Sequence, residues 1–351
     1  MILLIIVVLD LKKTGVFRSI DNTYEGDMTS YDIPGAEDFT ISREDGFMII
    51  SSDDRAARRD QESFVSGLYY MDLETEEITP LVTSKEMEIY PHGIHMIKTD
   101  SAKYRVLAIN HISKAGLGSA DIHADHPIEE FILEGKTLRH IKSYRDDAMM
   151  SPNDIVAIDQ RSFYFTNDHG STTELGLTLE DYLGLKRSNV VYYDGSDYRE
   201  VASGIAYANG ICADLDRDLL YVASPRHTKV LVYNMLDDGS LEEEEVIACG
   251  TSVDNIELDE GGKLWIGCHP SAFATIPYFA GDNEYAPSEV ITIDYRGEDD
   301  FDVASIYESD GRDMSASTVA VTYKDKVYVG NVMDDHFISM DRGVLDPIYT
   351  K

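Results

Sequence analysis

The chain has 351 residues, an apolar fraction of 43% and a formal net charge of −35. This apolar content is sufficient for a full hydrophobic core, and β folds built from repeats reach this length as one domain. The charge argues against nucleic acid or an anionic membrane surface as a partner, because a strongly acidic protein repels both.

The first nine residues, MILLIIVVL, are apolar and precede Asp10, Lys12 and Lys13. A membrane-spanning helix needs about 20 apolar residues, so this run is too short to cross a bilayer. It also lacks the basic start and the small-residue cleavage site of a signal peptide. We expect residues 1–29 to be an N-terminal segment that retains part of a membrane anchor, with an interfacial stub or an edge strand as alternatives.

A repeated hairpin pattern organises the rest of the chain, and residues 151–169, SPNDIVAIDQRSFYFTNDH, show it best. A polar pair precedes an alternating apolar run, a polar turn and a second apolar run, which is typical of a β-hairpin. Similar stretches recur about every 45–63 residues along the chain. They occupy residues 34–52, 91–111, 151–169, 208–224, 253–270 and 317–332.

Further strand pairs with polar turns lie between these repeats, at 68–83, 129–144, 189–203, 229–247 and 289–307. Two hairpins per repeat give four antiparallel strands, and six such repeats are typical of a six-bladed β-propeller. We therefore predict one all-β propeller domain over residues 30–351. A short surface helix is predicted near residues 172–186, with Thr178 and Asp181 as its cap.

The three cysteines, Cys212, Cys249 and Cys268, lie within or beside apolar runs. Their spacing does not match that of a metal site. We predict buried thiols, with one disulfide as the alternative.

In a propeller, the inner strands of all blades begin around one central channel. The repeats place polar residues there, and buried carboxylates of like charge are costly without a counter-charge. Carboxylate and amide oxygens are the ligands that Ca²⁺ prefers, and it takes about 6–8 of them. Each polar pair alone is typical of a turn, but their recurrence favours a metal site. The predicted ligands are Glu37, Asn153, Asn209, Asp254 and Asn255; His92 and Ser317 begin the remaining repeats.

Histidines lie at the ends of several predicted strands, where a single histidine is most often structural. His92 and His111 belong to the same repeat and are the better candidates for proton transfer. Residues 250–254, GTSVD, lack the second glycine of a serine nucleophile elbow. Any hydrolysis is therefore expected to proceed by metal-assisted attack of water.

The motifs PHGI (91–94), INH (109–111), NDIVAI (153–158), FTNDH (165–169), ANGI (208–211), VDNI (253–256), LWIGCHP (264–270) and STVA (317–320) resemble the paraoxonase family. We expect a member of bacterial type. The resemblance implies a six-bladed propeller that hydrolyses lactones and aryl esters with calcium, and that has promiscuous phosphotriesterase activity. The partner is then a small-molecule lactone or ester.

The same resemblance implies two calcium ions and a set of site residues. The catalytic ion is expected on the five ligands above, and the structural ion on Asp38, Asp154 and the Ile94 carbonyl. His92, His111 and Asp254 are the expected catalytic residues. Asp168, His169, Tyr207 and His269 are expected to line the site.

Three features depart from the family pattern. No cysteine lies near either chain end, so ring closure is expected to rest on strand pairing alone. The loop DDRAARRD (53–60) is more charged than the apolar lid implied by the family. Lys186-Arg187 and the acidic surface argue against a membrane-facing role for the 172–186 helix, so membrane association is expected through the N-terminus.

Two alternatives keep the propeller fold. One is a strictosidine-synthase-like or regucalcin-like enzyme that hydrolyses sugar lactones or catalyses condensation. The other is a non-catalytic, calcium-stabilised binding propeller. We expect an extracytoplasmic location, either periplasmic or secreted, and the sequence does not define the oligomeric state.

Overall fold

The computed structural model describes residues 15–16, 18–84, 87–100, 102–112 and 126–349. The predicted anchor remnant at residues 1–9 lies outside these ranges. Within them, no helix combines the length and the apolar character that crossing a membrane requires.

The strands form six sheets, and each sheet starts with an inner strand from one predicted repeat. The inner strands are β2 (Ala36–Ser42), β7 (Pro91–Asp100), β11 (Pro152–Ala157), β15 (Ile211–Asp214), β19 (Ser252–Leu258) and β23 (Ser317–Tyr323). Each contacts the inner strands of both neighbouring blades, and β23 contacts β2, so the six blades close into a ring.

The next two strands of each blade follow by antiparallel hairpins. The second strands are β3 (Phe47–Asp53), β8 (Lys103–Asn110), β12 (Phe163–Asn167), β16 (Leu219–Ser224), β20 (Leu264–His269) and β24 (Lys326–Asn331). The third strands are β4 (Ser66–Asp72), β9 (Ile128–Glu134), β13 (Ser188–Tyr193), β17 (Lys229–Met235), β21 (Ser288–Gly297) and β25 (Phe337–Asp341).

The outer strands complete the blades, and the last blade is completed by the first strand of the described residues. The outer strands are β5 (Ile78–Pro80), β10 (Thr137–Tyr144), β14 (Tyr198–Ile205), β18 (Leu241–Ala248), β22 (Asp300–Ser309) and β1 (Thr29–Tyr31). β1 pairs antiparallel with β25, with Thr29 opposite Ser339. Ring closure by strand pairing is thus confirmed for the described chain.

The predicted six-bladed propeller with four antiparallel strands per blade is confirmed, and two blades carry an additional short strand. β6 (Val82–Thr83) pairs parallel with β10, and β26 (Ile348–Tyr349) pairs antiparallel with β22. These two-residue pairings were not visible in the sequence, because neither segment has room for an alternating pattern.

The core lies between adjacent blades, where the apolar faces of neighbouring sheets pack together. One cluster joins the fourth and fifth blades and contains all three cysteines together with Val232 and Ile266. The cysteines are buried and unpaired, which confirms the predicted buried thiols. Burial raises the pKa of Cys249 to about 12, so this thiol is inert at neutral pH.

Three α-helices occur in the described residues: α1 (Arg55–Arg59), α2 (Glu174–Leu183) and α3 (Ala272–Ala280). They connect the second and third strands of blades one, three and five. Short 3-10 turns lie at Pro225–His227 and Arg342–Val344. Because hairpin strands reverse direction, loops between second and third strands share the end of the ring where the inner strands begin. The helices therefore surround that end of the channel.

The predicted helix near 172–186 is confirmed as α2, but its predicted cap is wrong. Thr173 is the N-cap, and its hydroxyl accepts a hydrogen bond from the Gly176 N–H at 3.1 Å. Thr178 lies inside the helix and donates to the Glu174 carbonyl at 2.9 Å. The sequence did not predict α1 or α3. α1 lies in the charged segment 53–60, for which the sequence predicts a loop.

Candidate active site

The site is built from irregularities at the starts of the inner strands. In five blades the register of the inner strand shifts near its first residues: Ala36/Asp38, Pro91/Ile94, Pro152/Ile155, Val253/Ile256 and Ser317/Val319. A regular strand points successive side chains to opposite faces, whereas a bulge redirects them. Adjacent polar residues can therefore both reach the ring centre.

Glycines allow these strand starts to approach one another closely. A Cβ atom at Gly93 would lie 2.5 Å from the Cα of Asp154, and one at Gly210 would lie 2.4 Å from the Asp254 carbonyl oxygen. No L-side chain fits at such distances, so the PHGI and ANGI motifs each need glycine at this position.

We use the term hub for the five predicted ligands of the catalytic ion, Glu37, Asn153, Asn209, Asp254 and Asn255. Four of them line one cavity, and the amide of Asn255 donates to Glu37 Oε1 at 3.1 Å. The exposed fraction of each hub residue is 8% or less. The structure thus brings the five predicted ligands together at the ring centre.

Three buried amide oxygens of the hub have no hydrogen-bond partner, namely the Oδ1 atoms of Asn153, Asn209 and Asn255. Glu37 Oε2 lies beside them and contacts His92 Nδ1. The amide nitrogen of Asn153 donates to Asp168 Oδ2 at 3.1 Å, which fixes the orientation of that amide. Unpaired buried oxygens are costly, and a hard cation removes that cost. The donor set therefore fits Ca²⁺. Among the described residues, no group of three or more His, Cys, Asp or Glu is arranged to hold a metal. The hub has only two carboxylates, and its other three candidate ligands are asparagine amide oxygens.

The two hub carboxylates have different environments. Burial favours the protonated form of Glu37, but His92, Arg55 and Asn255 outweigh burial and lower its pKa to about 2. Burial raises the pKa of Asp254, although His269 opposes this shift with Nε2 at 2.8 Å from Asp254 Oδ2.

His92 and His111 are adjacent, as predicted from their positions in one repeat. Their ring centroids are 4.5 Å apart, and His92 Nδ1 lies 3.0 Å from Glu37 Oε2. His111 Nε2 donates to the Pro152 carbonyl at 2.8 Å. Burial, with His92 and His126 nearby, keeps the pKa of His111 well below its usual value, so this imidazole is neutral.

Two neighbours of this pair were missed in the sequence. The ring of His126 lies 4.6 Å from that of His111, and Arg55 Nη2 of α1 lies 2.8 Å from His92 Nδ1. Arg55 is only 4% exposed. No local signal identified these contacts, because both depend on how distant segments pack.

Asp168, His169 and Tyr207 form a group beside the hub. Asp168 accepts hydrogen bonds from the Ser151 hydroxyl and from the Asn153 amide, and its Oδ1 lies 2.7 Å from His169 Nδ1. Burial opposes ionisation of Asp168, but His169, Ser151 and Asn153 outweigh it, so its pKa lies below its usual value. Tyr207 has a φ of +61°, which is strained for a residue with a side chain.

Of the four predicted lining residues, Tyr207 and His269 face the cavity directly. Asp168 and His169 do not line the cavity; Asp168 accepts from the Asn153 amide, and His169 contacts Asp168. The cavity has a volume of about 400 Å³ and a polar floor at the hub. Its walls include apolar residues of α3 and neighbouring loops that the sequence did not predict; they are Ala272, Ile276, Phe279 and Val332. The run AFATIPYFA between Ser271 and Gly281 was the signal for α3.

Thr318, and not Ser317, lines the cavity from the sixth blade. Its hydroxyl donates to the Glu37 carbonyl at 2.6 Å. Ser317 instead donates to the Cys268 carbonyl at 3.1 Å and is fully buried. The expectation that Ser317 reaches the channel is therefore wrong, because the bulge shifts the exposed position by one residue.

Asp38 and Asp154, the predicted ligands of the structural ion, line a second cavity of about 160 Å³ together with Ile94. Asp38 Oδ2 accepts from the Ile94 N–H, and Asp154 Oδ2 accepts from the Ile211 N–H, both at 2.7 Å. Burial and the charge of Asp154 raise the pKa of Asp38 well above its usual value. Two buried acids this close need a cation or a proton between them. The ligand role of the Ile94 carbonyl stays a prediction.

The fold and the site together define a six-bladed β-propeller with a buried, oxygen-lined hub beside two adjacent histidines. Residues 34–338 match the family model described as arylesterase. The chain is 34% identical over 270 residues to human serum paraoxonase/arylesterase 1, covering 75% of this chain and 73% of that protein. It is 32% identical over 246 residues to rabbit serum paraoxonase/lactonase 3, covering 69% of this chain and 66% of that protein.

The chain belongs to the arylesterase family, and the predicted resemblance to the paraoxonases and the predicted ester-hydrolase class are confirmed. Two solved structures show the fold alone. A luciferin-regenerating enzyme has a TM-score of 0.54 at 11% identity, covering 92% of this chain and 95% of that chain. Regucalcin from Agrobacterium tumefaciens has a TM-score of 0.51 at 11% identity, covering 93% and 98%.

Proposed function

We propose that this protein hydrolyses lactones and aryl esters by attack of water at a calcium-dependent site. The observation that carries the proposal is the convergence of three unpaired, buried amide oxygens and the Glu37 carboxylate on the hub. The relatives named above are called paraoxonase, arylesterase and lactonase, which supports the substrate class. A bound Ca²⁺ supplies a Lewis acid that polarises the ester carbonyl and stabilises the negative charge developing on its oxygen.

His92 is the residue proposed to take the proton from the attacking water. Its Nδ1 has two charged partners, Arg55 and Glu37, whereas its Nε2 has only the longer contact to the Asn153 amide nitrogen at 3.2 Å. The proton is therefore proposed to be taken at Nε2. His111 packs against the His92 ring and restricts its orientation. When the C–O bond breaks, the proton passes from His92 to the departing alkoxide or phenolate.

Asp254 is proposed to act in the hub with His269, which holds its carboxylate at 2.8 Å. The apolar walls exclude water from the acyl or aryl part of the substrate, and the cavity volume of about 400 Å³ suits a small molecule. Asp168, His169 and Tyr207 hold the Asn153 side of the hub in place.

A second ion at Asp38 and Asp154 is part of the proposal, because these buried acids have no cationic partner among the described ion pairs. Their carboxylates accept backbone N–H groups from β2, β7, β11 and β15, so an ion there would join four inner strands. Phosphotriester hydrolysis and an extracytoplasmic location also belong to the proposal as secondary expectations.

Calcium removal tests the proposed function. Wild-type protein should hydrolyse a panel of lactones and phenyl acetate, lose this activity in EDTA, and regain it when Ca²⁺ is added. Asn209→Ala should require at least about tenfold more Ca²⁺ for half-maximal activity, because one buried oxygen is lost. Asn283→Ala, an exposed amide away from the cavity, is the matched control.

Full activity in EDTA would overturn the calcium-dependent mechanism. Ca²⁺-dependent stability without turnover of any lactone or ester would instead favour the non-catalytic binding propeller. Turnover restricted to sugar lactones would favour the regucalcin-like alternative.

A further inference from the structure

The wall of the active-site cavity carries one arginine that the proposed mechanism does not use. Arg226 lies in the 3-10 turn Pro225–His227, directly after β16, and lines the cavity beside Tyr182. Its Nη2 donates to the Tyr182 carbonyl at 2.9 Å. Its Nε is buried and has no hydrogen-bond partner. The guanidinium has five N–H groups. Nε–H is enclosed and one N–H of Nη2 is anchored to Tyr182, so Nη1 and the second N–H of Nη2 are the donors for a ligand.

Arg226 also lacks an acidic partner, unlike the carboxylates that line the same cavity. Among the ion pairs of the described chain, none includes Arg226, although the protein has 65 acidic residues against 30 Lys and Arg. Each acid lining the cavity has a histidine next to it. The pairs are Glu37–His92 at 3.0 Å, Asp181–His169 at 2.8 Å and Asp254–His269 at 2.8 Å.

His169 engages one oxygen of Asp181, with Nε2 at 2.8 Å from Oδ1. Burial opposes protonation of His169, but Asp168 and Asp181 outweigh burial and raise its pKa to about 11. At neutral pH this histidine is a cation between two carboxylates. No ion pair of the described residues joins Arg226 to these acids, so its positive charge stands at the cavity wall without a paired carboxylate.

We propose that Arg226 binds a carboxylate on the substrate, so that the preferred substrates are esters or lactones that carry a second, anionic group. A guanidinium matches a carboxylate with two parallel N–H···O bonds, and such charge-assisted bonds are strong where water is excluded. This inference rests on the proposed function, which places the ester carbonyl at the hub.

The chain connectivity places Arg226 near the hub. The Asn209 N–H donates to the Ala223 carbonyl at 3.0 Å, so Ala223 lies next to the hub. Arg226 is three residues further along, and three residues span at most about 10–11 Å. Both substrate groups must also fit within one cavity of about 400 Å³, so a half-ester of a short dicarboxylic acid is the substrate chosen for the test.

A matched pair of substrates tests the proposal. The mono-4-nitrophenyl ester of adipic acid ends in a carboxylate, and its methyl ester has the same acyl chain without the charge. Wild type should show a higher kcat/KM for the charged ester, mainly through KM. In Arg226→Gln, the ratio of the two kcat/KM values should fall by about tenfold to a hundredfold, the range for a lost charge-assisted hydrogen bond.

Arg226→Lys should retain part of the preference, because it keeps the charge but not the two-pronged geometry. Arg199→Gln is the matched control. Arg199 lies on the outer strand β14, contacts the Asp238 carbonyl and does not line the cavity. Its substrate ratio should equal that of the wild type. Equal kcat/KM values for the two esters in wild type, or an unchanged ratio in Arg226→Gln, would overturn the proposal.

Calorimetric titration with adipate and with its neutral diamide separates this proposal from the proposed function. Binding of adipate that Arg226→Gln abolishes, with neither ester hydrolysed, would support the anion site and overturn the hydrolase. Hydrolysis of both esters with no binding preference for adipate would support the hydrolase and overturn the anion site.

Discussion

His92, the predicted proton acceptor, is in direct contact with the hub. Its two ring nitrogens lie close to residues of three different elements. Nδ1 contacts Glu37 of β2 and Arg55 of α1, and Nε2 faces Asn153 of β11. The sequence predicted the importance of His92 from its place at a repeat start. It did not reveal Arg55, because α1 is separated from His92 by three further strands.

Replacing His92 by Gln should lower kcat for lactones by about 10²- to 10⁴-fold, the usual contribution of a general base. The calcium content should stay constant, because His92 is not a predicted ligand. Elemental analysis and steady-state kinetics on the same preparation check both points. His140→Gln, an outer-blade histidine 2.8 Å from Glu129, is the control. Unchanged lactone turnover in His92→Gln would remove this residue from the mechanism.

His169 is expected to make stability depend on pH in the alkaline range. Its folded-state pKa of about 11 is above the unfolded value of about 6.5. The stability it contributes is therefore complete below about pH 6.5 and is lost as pH rises toward 11. Urea unfolding at pH 7 and pH 10 should show a smaller decline for His169→Gln than for wild type.

Asp181→Asn should give an intermediate decline, because one of the two acids that raise the His169 pKa remains. An identical decline in wild type and His169→Gln would contradict the assignment of a protonated His169.

At the scale of the strands, the bulges at the inner ends account for the site. They allow the consecutive residues Asp254 and Asn255 both to be buried at the centre, which a regular strand does not allow. The glycines of the PHGI and ANGI motifs bring neighbouring strand starts within contact distance. The chemistry of the hub thus depends on departures from ideal strand geometry.

The repeats, blade number and hub residues could be predicted because they are local signals repeated six times. Alternation of apolar residues defines a strand, and a polar pair before it is visible in the sequence itself. The bulges could not be predicted, since strand register depends on the partner strand; the error between Ser317 and Thr318 is a direct result. α1 was missed because its five residues are too few to show a helical period.

Gly93→Ala tests the close approach of β7 and β11. The added Cβ would lie 2.5 Å from the Asp154 Cα, so the strands must separate. We expect a loss of unfolding free energy of about 1–3 kcal/mol, as for other overpacked sites, and weaker calcium binding. Urea unfolding with and without calcium measures both.

Gly343→Ala is the matched control, because its Cβ would meet only the flexible carboxylate of Asp341, at 3.2 Å. Wild-type stability and calcium affinity in Gly93→Ala would show that the strands have room for a side chain there.

For the whole molecule, closure of the ring depends on three residues of β1. Tyr31 stacks on Phe337 with ring centroids 4.7 Å apart, and its hydroxyl contacts Ser339 at 3.0 Å and Glu76 at 2.8 Å. Glu76 belongs to the first blade and the other two residues to the sixth. One side chain therefore links the blades that meet where the ring closes.

Tyr31→Ala should lower the unfolding free energy by about 3–5 kcal/mol, as for other large buried aromatic side chains. Tyr182→Ala is the control, since Tyr182 is 66% exposed and surface changes usually stay within about 0.5 kcal/mol. Equilibrium urea unfolding of both variants provides the comparison. Equal midpoints for Tyr31→Ala and wild type would mean that β1 does not hold the ring closed.

The pairing of β1 with β25 also imposes an order on biosynthesis. Tyr31 and Ser339 are 308 residues apart, and at about 5–20 residues per second a ribosome needs roughly 15–60 s to cover that distance. Throughout this interval the early strand has emerged while its partner does not yet exist. Translation must therefore be nearly finished before the nascent chain acquires its complete tertiary structure, and a chain terminated early lacks the last blade altogether.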